Sequence, residues 1–184
     1  MFLKQLLLFF WEIAKIVILA LIIVIPIRYF IFQPFIVKGI SMEPNFHNGD
    51  YLIVDEISYR FRTPYRGDII IFRYPQNPSE KFIKRIIGLP EEIVSLENNQ
   101  IVIIDKFGER EVLNESSYLN SQTLFNNKEI YLTQDEYFVL GDNRSSSFDS
   151  RSWGVLPRKN IIGRALFRVF PPATAAAFFT APDY

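Results

Sequence analysis

The chain has 184 residues, of which 49% are hydrophobic and 16% aromatic, which is enough apolar material for one folded domain with a substantial core. Twenty basic residues balance twenty acidic ones without a long block of either charge, so the composition gives no indication of a nucleic-acid partner. The chain contains no cysteine, which excludes disulfides, thiolate metal sites and a cysteine nucleophile.

The first predicted element is an apolar helix over Leu6–Ile27, long enough to cross a bilayer because about 20 residues suffice. Glu12 and Lys15 interrupt the apolar segment one turn apart, where they can pair or lie near the interface. A cleaved signal peptide and a buried core helix are the alternatives, but no cleavage site with small residues follows. We therefore predict a retained membrane anchor over residues 1–32. Charge does not settle its orientation, because basic residues flank the apolar core on both sides.

Beyond Gln33 the pattern becomes typical of strands, with Ile, Val, Phe and Tyr bounded by turn residues. Strands are predicted near Phe35–Lys38, Tyr51–Ile57, Asp68–Tyr74, Lys81–Ile87, Glu92–Leu96, Gln100–Ile104, Glu136–Leu140 and Ile161–Phe170. Asn98-Asn99 predicts a hairpin turn, and the apolar run after Gly67 predicts a strand that is buried on both faces.

The absence of regularly alternating strands and long helices makes a parallel α/β fold improbable. The predicted fold class is all-β, with a mostly antiparallel catalytic domain over residues 33–172 preceded by one N-terminal transmembrane helix. The polar segment Phe107–Lys128 is predicted to be a surface excursion. Residues 173–184, rich in proline and alanine, are predicted to form a flexible C-terminal tail.

A Ser-Met-x-Pro sequence closely follows the apolar segment, and its serine, Ser41, is a candidate nucleophile. The only histidine in the chain, His47, has no evident third member of a triad near it, so we interpret it as a surface loop residue. With one histidine and no cysteine, a zinc site is not expected. The proton acceptor for Ser41 must therefore be sought further along the chain.

The stretch Ser79–Glu92 places two cations, Lys84 and Arg85, inside an apolar strand. Alternate strand residues share a face, so Lys84 lies between two apolar side chains on its own face. If that face is buried, desolvation lowers the pKa of Lys84, and the neutral amine can accept a proton from a serine hydroxyl. An edge strand protected by charges is the alternative. Arg85 points to the other face of the strand, where it stays charged and needs an acidic partner on its own face.

The segment Tyr137–Gly154 continues a strand into a dense polar loop of acids, arginines and serines. Such residues often only close turns and cap helices, but they also form networks that hold neighbouring groups in place. Asp142 is a candidate partner for Arg85. Ser147 is a candidate to hydrogen-bond a neutral lysine and orient its lone pair.

The sequences SMEP, KRIIGLP and GDNRSSSFDSR follow the apolar segment in this order, and together they resemble type I signal peptidases of bacteria and their organelle relatives. The resemblance implies a membrane-anchored Ser/Lys endopeptidase that removes signal peptides from exported preproteins on the outer side of a cell membrane. The implied partners are preprotein signal peptides and the lipid bilayer. No cofactor, metal or nucleic acid is expected.

The resemblance implies Ser41 as the nucleophile, Lys84 as the general base and Ser147 as the serine that positions the lysine. Structural roles are implied for four further residues, namely Asp142, Arg85, Asp149 and Arg151. The oxyanion hole would use the backbone N–H of Ser41. Gly39 stands where some relatives have a second hydroxyl donor, so that donor is either missing or supplied by the main chain. Losing one donor can cost about 10²–10³ in rate, so a replacement is expected.

The resemblance also implies shallow apolar pockets that suit an Ala-x-Ala sequence bound as an added β-strand. The residues expected to line them are Phe35, Val37, Phe46, Phe82 and Ile83. Asn45 replaces a common threonine of the family, and Glu91-Glu92 replaces a usual Gly-Asp. Both departures concern turn geometry near the site, and neither touches a proposed catalytic atom.

Two other functions remain open from the sequence alone. A self-cleaving regulator also uses a Ser–Lys dyad, but it normally carries an N-terminal DNA-binding or partner module, which is not evident here. The second is a membrane-tethered β-domain that binds a partner, in which Ser41 and Lys84 would be unrelated surface residues. Such a domain would keep its function when Lys84 is replaced, whereas the enzyme would not.

Overall fold

The protein is described here by a computed structural model that covers residues 2–30, 32–119, 127–170 and 182. The predicted tail, residues 173–184, therefore lies outside the described residues except for Pro182. Residues 120–126 of the predicted surface excursion also lie outside them.

The chain begins with one long helix, α1 (Phe2–Phe30), whose 29 residues correspond to about 44 Å at 1.5 Å per residue. Within it, Lys4–Val24 is long and apolar enough to cross a membrane, and none of this segment is buried against the rest of the protein. It is the one such helix in the described part of the chain. Glu12 and Lys15 form an ion pair of 2.7 Å between Oε1 and Nζ, so the two charges within the apolar segment partner each other.

The other described residues form eleven strands, one short helix, α2 (Ser150–Trp153), and three short 3₁₀ turns. The strands are β1 (Phe32–Ile36), β2 (Tyr51–Asp55), β3 (Ile69–Tyr74), β4 (Asn77–Gly88), β5 (Ile93–Glu97), β6 (Gln100–Ile104), β7 (Arg110–Val112), β8 (Lys128–Tyr131), β9 (Glu136–Leu140), β10 (Leu156–Pro157) and β11 (Ile161–Phe170).

The strands form two sheets, and every described strand pair is antiparallel. The larger sheet has the order β1-β2-β11-β3-β4-β9-β10, and the smaller sheet has the order β7-β6-β5-β8. This arrangement confirms the predicted fold class, an antiparallel β domain behind one apolar helix. The predicted hairpin is confirmed at Asn98 and Asn99, which have φ values of 49° and 62° and join β5 to β6.

Several strand boundaries differ from the sequence-based prediction. Strand β1 covers Phe32–Ile36 instead of Phe35–Lys38, and it accommodates Pro34 because it is an edge strand. Strand β4 starts at Asn77, before the predicted Lys81. The short strands β7, β8 and β10 were not predicted, because two to four residues carry too little alternation of apolar and polar side chains to be recognised.

Strand β3 is buried on both faces, as predicted from its apolar run. Ile69 and Ile71 pack into one apolar cluster with the start of the β1–β2 connection, whereas Ile70 and Phe72 pack into another with β9 and β10. The neighbouring strand β4 pairs with β3 from Lys81 to Arg85. This double packing fixes β4 and with it the backbone that carries Lys84 and Arg85.

Strands β1 and β4 both have an edge without a partner strand among the described residues. Strand β1 ends the larger sheet, since it pairs only with β2. Strand β4 pairs with β9 only from Arg85 onwards, so residues 77–84 are unpaired on the side away from β3. Unpaired edges present free backbone N–H and C=O groups to which an extended peptide can add.

Candidate active site

Ser41 lies in the turn-rich connection between β1 and β2, where it is half-buried. Met42, the next residue, is buried in the apolar core and anchors this turn. The Ser41 side-chain oxygen faces the one lysine of β4 that is buried, and Lys84 Nζ lies 2.8 Å from Ser41 Oγ. The two residues are 43 positions apart in sequence and are brought together by the tertiary fold.

Lys84 is only 4% exposed, so the edge-strand alternative for this residue does not hold. Its amine contacts the carbonyl oxygen of Ile83 at 2.9 Å and lies 5.6 Å from the centre of the Phe82 ring. Burial lowers the pKa of Lys84 to about 8, although the carboxylates of Asp149 and Asp142 act in the opposite direction. A substantial fraction of the amine is therefore neutral near physiological pH, and a neutral amine can accept the Ser41 proton.

Arg85 points away from Lys84 and forms a buried ion pair with Asp142, as the sequence predicted. Nε and Nη2 donate to the two carboxylate oxygens at 2.8 and 2.7 Å, and Nη1 donates to the carbonyl of Gly67 at 3.1 Å. The guanidinium also lies 4.0 Å from the centre of the Tyr118 ring. The bidentate pair joins β4 to the loop after β9 and fixes the position of that loop.

The loop after β9 holds the backbone on both sides of Ser41. Asn143 donates its backbone N–H to the carbonyl of Ser41 at 3.0 Å and its side-chain amide to the carbonyl of Ile40 at 3.1 Å. Asn45 donates to Asp142 Oδ2 at 2.8 Å and to the carbonyl of Tyr118 at 2.9 Å. Sequence reasoning missed the positioning contacts of Asn143, although its place beside Asp142 in the polar loop was a usable signal.

The structure brings Ser147 into the same region but not into the expected hydrogen bond. The side-chain oxygen of Ser147 is buried without a hydrogen-bond partner among the described residues, while the Lys84 amine is bonded to Ser41 and Ile83. Ser147 lies against Gly141, since a Cβ built on Gly141 would stand 2.2 Å from Ser147 Oγ and 2.4 Å from the Ser41 carbonyl oxygen. Gly141 thus allows Ser41 and Ser147 to approach each other.

Asp149 and Arg151 lock the end of the same loop, in keeping with the structural roles expected of them. The Arg151 guanidinium donates to both carboxylate oxygens of Asp149 at 2.8 Å, and Asp149 accepts the N–H of Gly141 at 3.1 Å. A second buried pair joins Arg144 to Glu115, with 2.5 and 2.9 Å between the atoms. Part of the predicted surface excursion therefore packs against the site, and the sequence carried no signal for that contact.

The backbone N–H of Ser41 has no hydrogen-bond partner among the described residues and is free to bind an oxyanion. The N–H of Gly39 is not free, because it donates to Asn48 Oδ1 at 3.0 Å. The main chain of Gly39 therefore does not replace the missing hydroxyl donor in this arrangement. No group of three or more side chains suited to a metal ion occurs in the described ranges.

A groove of about 800 Å³ opens beside Ser41 and Lys84, between the free edges of β1 and β4. Three of the five predicted pocket residues line it, namely Phe35, Phe82 and Ile83. Val37 and Phe46 are instead buried in the core, with 2% and 0% exposure. Ser146 and Phe148 line the groove as well and were not predicted.

Comparison with known proteins gives consistent results over most of the chain. Residues 10–170 match the family described as signal peptidase, peptidase S26. A signal peptidase I of Leptolyngbya laminosa is 38% identical over 173 residues, covering 90% of this chain and 82% of the relative. Signal peptidase I V of Bacillus subtilis is 34% identical over 162 residues, covering 84% of this chain and 94% of the relative. A crystal structure of a signal peptidase I from Enterococcus faecalis is 29% identical with a TM-score of 0.46, covering 56% of this chain and 97% of that chain.

Proposed function

Because this chain belongs to the family of signal peptidases, peptidase S26, we propose that it is a membrane-anchored endopeptidase with Ser41 as nucleophile and Lys84 as general base. Membership of this family indicates a serine endopeptidase that removes signal peptides. The catalytic residues, the cleavage specificity and the membrane anchoring are the parts that we propose. The observation that carries the proposal is the 2.8 Å distance between Lys84 Nζ and Ser41 Oγ in a buried site beside the groove.

The proposed reaction begins with neutral Lys84. Ser41 Oγ attacks the scissile carbonyl carbon while its proton passes to Lys84 Nζ, and the backbone N–H of Ser41 stabilises the oxyanion. When the tetrahedral intermediate collapses, the C–N bond breaks and the ammonium of Lys84 protonates the leaving amine. A water molecule then attacks the ester with Lys84 again accepting a proton, and this releases the cleaved signal peptide and regenerates Ser41.

The substrate would bind as an extended strand between the free edges of β1 and β4, where backbone groups supply hydrogen bonds. Alternate substrate side chains then point to opposite walls of the groove. Phe35 and Ile83 offer apolar wall surface next to the nucleophile. This wall suits small side chains, so cleavage after an Ala-x-Ala sequence is the proposed specificity.

Helix α1 would anchor the enzyme in the membrane that also holds the signal peptide. This assignment is supported by the segment Lys4–Val24, which is long and apolar enough to cross a membrane. Co-localisation of enzyme and substrate in one bilayer raises their effective concentration without requiring new contacts. In this arrangement the chain crosses the membrane once, and the β domain lies on the outer side, where exported preproteins emerge.

The proposed function is tested by cleavage of a labelled preprotein that carries an Ala-x-Ala site, with the full chain in detergent. Wild type and Ser152→Ala, a change at an exposed serine of α2, are expected to release the mature protein with the N-terminus that follows Ala-x-Ala. Ser41→Ala is expected to release none, although its thermal unfolding matches that of wild type. If wild type cleaves no preprotein in several lipids, the tethered binding domain becomes the better assignment.

The pH dependence of kcat/KM provides a second test, because it reports on the free enzyme. Only neutral Lys84 accepts the Ser41 proton, and burial lowers its pKa to about 8. The rate should therefore rise about tenfold between pH 6 and pH 7 and level off above the pKa. A profile that is flat from pH 6 to pH 9 for a substrate without titratable groups would contradict a lysine base.

A further inference from the structure

The two faces of β4 give the groove two walls of different character. Phe82 and Ile83 are adjacent in β4, so their side chains point to opposite faces of the sheet. Ile83 packs in the apolar cluster that contains Met42, and together with Phe35 it forms the wall to which small side chains were assigned above. Phe82 packs against the cluster on the other face, which contains Phe72. Phe82 therefore belongs to the second wall of the groove.

Phe148 extends this second wall from the loop after β9. Its ring lies 5.9 Å from the ring of Tyr74 in an edge-to-face arrangement, and Tyr74 in turn stacks on Phe82 at 5.0 Å. Phe82 and Phe148 both line the groove, and we call these two residues the aromatic wall. Phe148 is nevertheless 53% exposed, so much of its surface is open to solvent beside the nucleophile.

Further rings behind the aromatic wall hold it in place. Trp153 of α2 lies 5.8 Å from Tyr74 and 5.9 Å from Phe72, measured between ring centres. Phe72 also contacts Phe82 edge to face at 6.1 Å. A single exposed aromatic residue is common on protein surfaces. Phe148 differs from that case because its ring is supported from behind and lines the groove, so little ordering is needed when a ligand binds it.

The free edges determine which part of a substrate meets this wall. Residues 77–84 of β4 are unpaired on the side away from β3, and from Arg85 onwards that edge is covered by β9. Strand β1 also precedes the nucleophile, since it ends at Ile36. Within the described residues, the edges open to an added strand therefore lie before Ser41 and Lys84 along both strands. The segment that precedes the scissile bond has to bind there, beside the residues that include Phe82.

The alternation of side chains then assigns the middle residue of Ala-x-Ala to the aromatic wall. Successive side chains of an extended peptide point to opposite sides. If both alanines contact the wall of Phe35 and Ile83, the side chain of x points to the wall of Phe82 and Phe148. Phe82 lies two positions before Lys84, which is about 7 Å along the strand, so the aromatic wall is level with the residues just before the scissile bond.

We propose that Phe148 is a specificity-determining residue that selects preproteins with a large apolar or aromatic side chain at the middle position of Ala-x-Ala. This inference rests on the peptidase activity and the strand-like substrate binding proposed above. Phe148 and Phe82 would cover one face of such a side chain, and aromatic pairs contribute more than the area that they bury. A small side chain at x leaves the aromatic wall in water, and a carboxylate at x meets the negative faces of the rings.

The preference is tested with two preproteins that differ only in x, which is Phe in one and Ala in the other, and with the full chain in detergent. The ratio of their kcat/KM values is the readout, because it does not depend on how much of the enzyme is active. Wild type should prefer x = Phe roughly tenfold. Phe148→Ala should reduce this preference to less than about twofold, and Phe148→Leu, which keeps an apolar side chain, should give a value in between.

A matched control is Phe107→Ala, which changes an aromatic residue that is 79% exposed in the turn between β6 and β7. This variant should keep the wild-type ratio. If Phe148 only supported the fold of its loop, Phe148→Ala would lower both kcat/KM values together and leave their ratio unchanged. That result, or a wild-type ratio near one, would overturn the inference and leave the proposed function intact. If wild type cleaved neither preprotein, the proposed function would fail, and the inference with it.

Photo-crosslinking locates the side chain of x without turnover and without a change at Phe148. A peptide with p-benzoylphenylalanine at x is bound to Ser41→Ala and irradiated, and the adducts are mapped by mass spectrometry. Adducts should form on Phe82 or Phe148, and an excess of the unlabelled peptide with x = Phe should suppress them. Adducts confined to Phe35 and Ile83 would place x against the opposite wall and overturn the inference.

Discussion

Replacing Lys84 by methionine is expected to lower kcat/KM for preprotein cleavage by about 10³-fold or more. The methionine keeps the apolar stem that packs beside Phe82 but removes the atom that lies 2.8 Å from Ser41 Oγ. Among the described residues, no group other than the Lys84 amine is hydrogen-bonded to Ser41 Oγ and able to accept its proton. Because a buried amine is replaced by an apolar group, the free energy of unfolding should change little. Initial cleavage rates and chemical unfolding of the same preparation measure the two effects separately.

Two control variants make this result specific. Lys106→Met changes an exposed lysine in the turn between β6 and β7 of the smaller sheet. It should leave the cleavage rate within twofold of wild type. His47→Ala removes the only histidine of the sequence, which is exposed in the connection between β1 and β2. This variant should also keep its cleavage rate within twofold of wild type. If Lys84→Met retained its activity while His47→Ala lost it, the base would have to be His47.

Replacing Gly141 by alanine is expected to lower kcat by at least about 10²-fold, since misplacement of a reacting group by 1 Å costs about that much. The new Cβ would stand 2.4 Å from the Ser41 carbonyl oxygen and 2.2 Å from Ser147 Oγ. The carbonyl oxygen belongs to the backbone, and Ser147 Cβ would also stand only 2.6 Å away, so rotation of the Ser147 side chain cannot remove the clash. The loop after β9 and the turn that carries Ser41 must therefore separate. Overpacking of this kind also destabilises the fold, by about 1–3 kcal/mol.

Gly163→Ala separates the two consequences of overpacking. Its Cβ would stand 2.4 Å from the carbonyl oxygen of Asp55, which is as severe a clash but lies between β11 and β2. This variant should lose stability and keep its kcat per folded molecule, as determined by titration with an irreversible serine-directed acylating reagent. A Gly141→Ala enzyme with wild-type kcat per folded molecule would mean that the close approach of the two loops does not position Ser41.

Residue pairing on β4 illustrates what could be predicted before the structure. Two residues that are adjacent in a strand point to opposite faces, so the separation of the Lys84 and Arg85 side chains follows from strand geometry alone. The bonding of Arg85 to Asp142 was predicted from the need of a buried guanidinium for an acidic partner. Burial of Lys84 was not decidable from the strand, because lysine is also common on exposed edges.

The predicted pocket residues illustrate what could not be predicted. Phe35, Phe82 and Ile83 line the groove, but Val37 and Phe46 are in the core, although all five are apolar and near the motifs. An apolar side chain serves equally well in a core and in a pocket wall. The direction in which the connection between β1 and β2 turns decides between the two, and that direction depends on packing against β11 and β3.

The amino-acid sequence by itself determined the fold class, the apolar helix and the residue types of the site, because periodicity and local motifs depend on near neighbours in the chain. The tertiary structure alone decided that Ser41 Oγ meets Lys84 Nζ, that Asn143 holds the Ser41 backbone, and that the N–H of Gly39 is occupied by Asn48. It also decided that Arg60, Arg73 and Lys81 share one end of the sheet with the end of helix α1. Such contacts depend on strand order and on how loops close over the sheet. Both are set by the packing of residues that are distant in sequence, to which no local pattern refers.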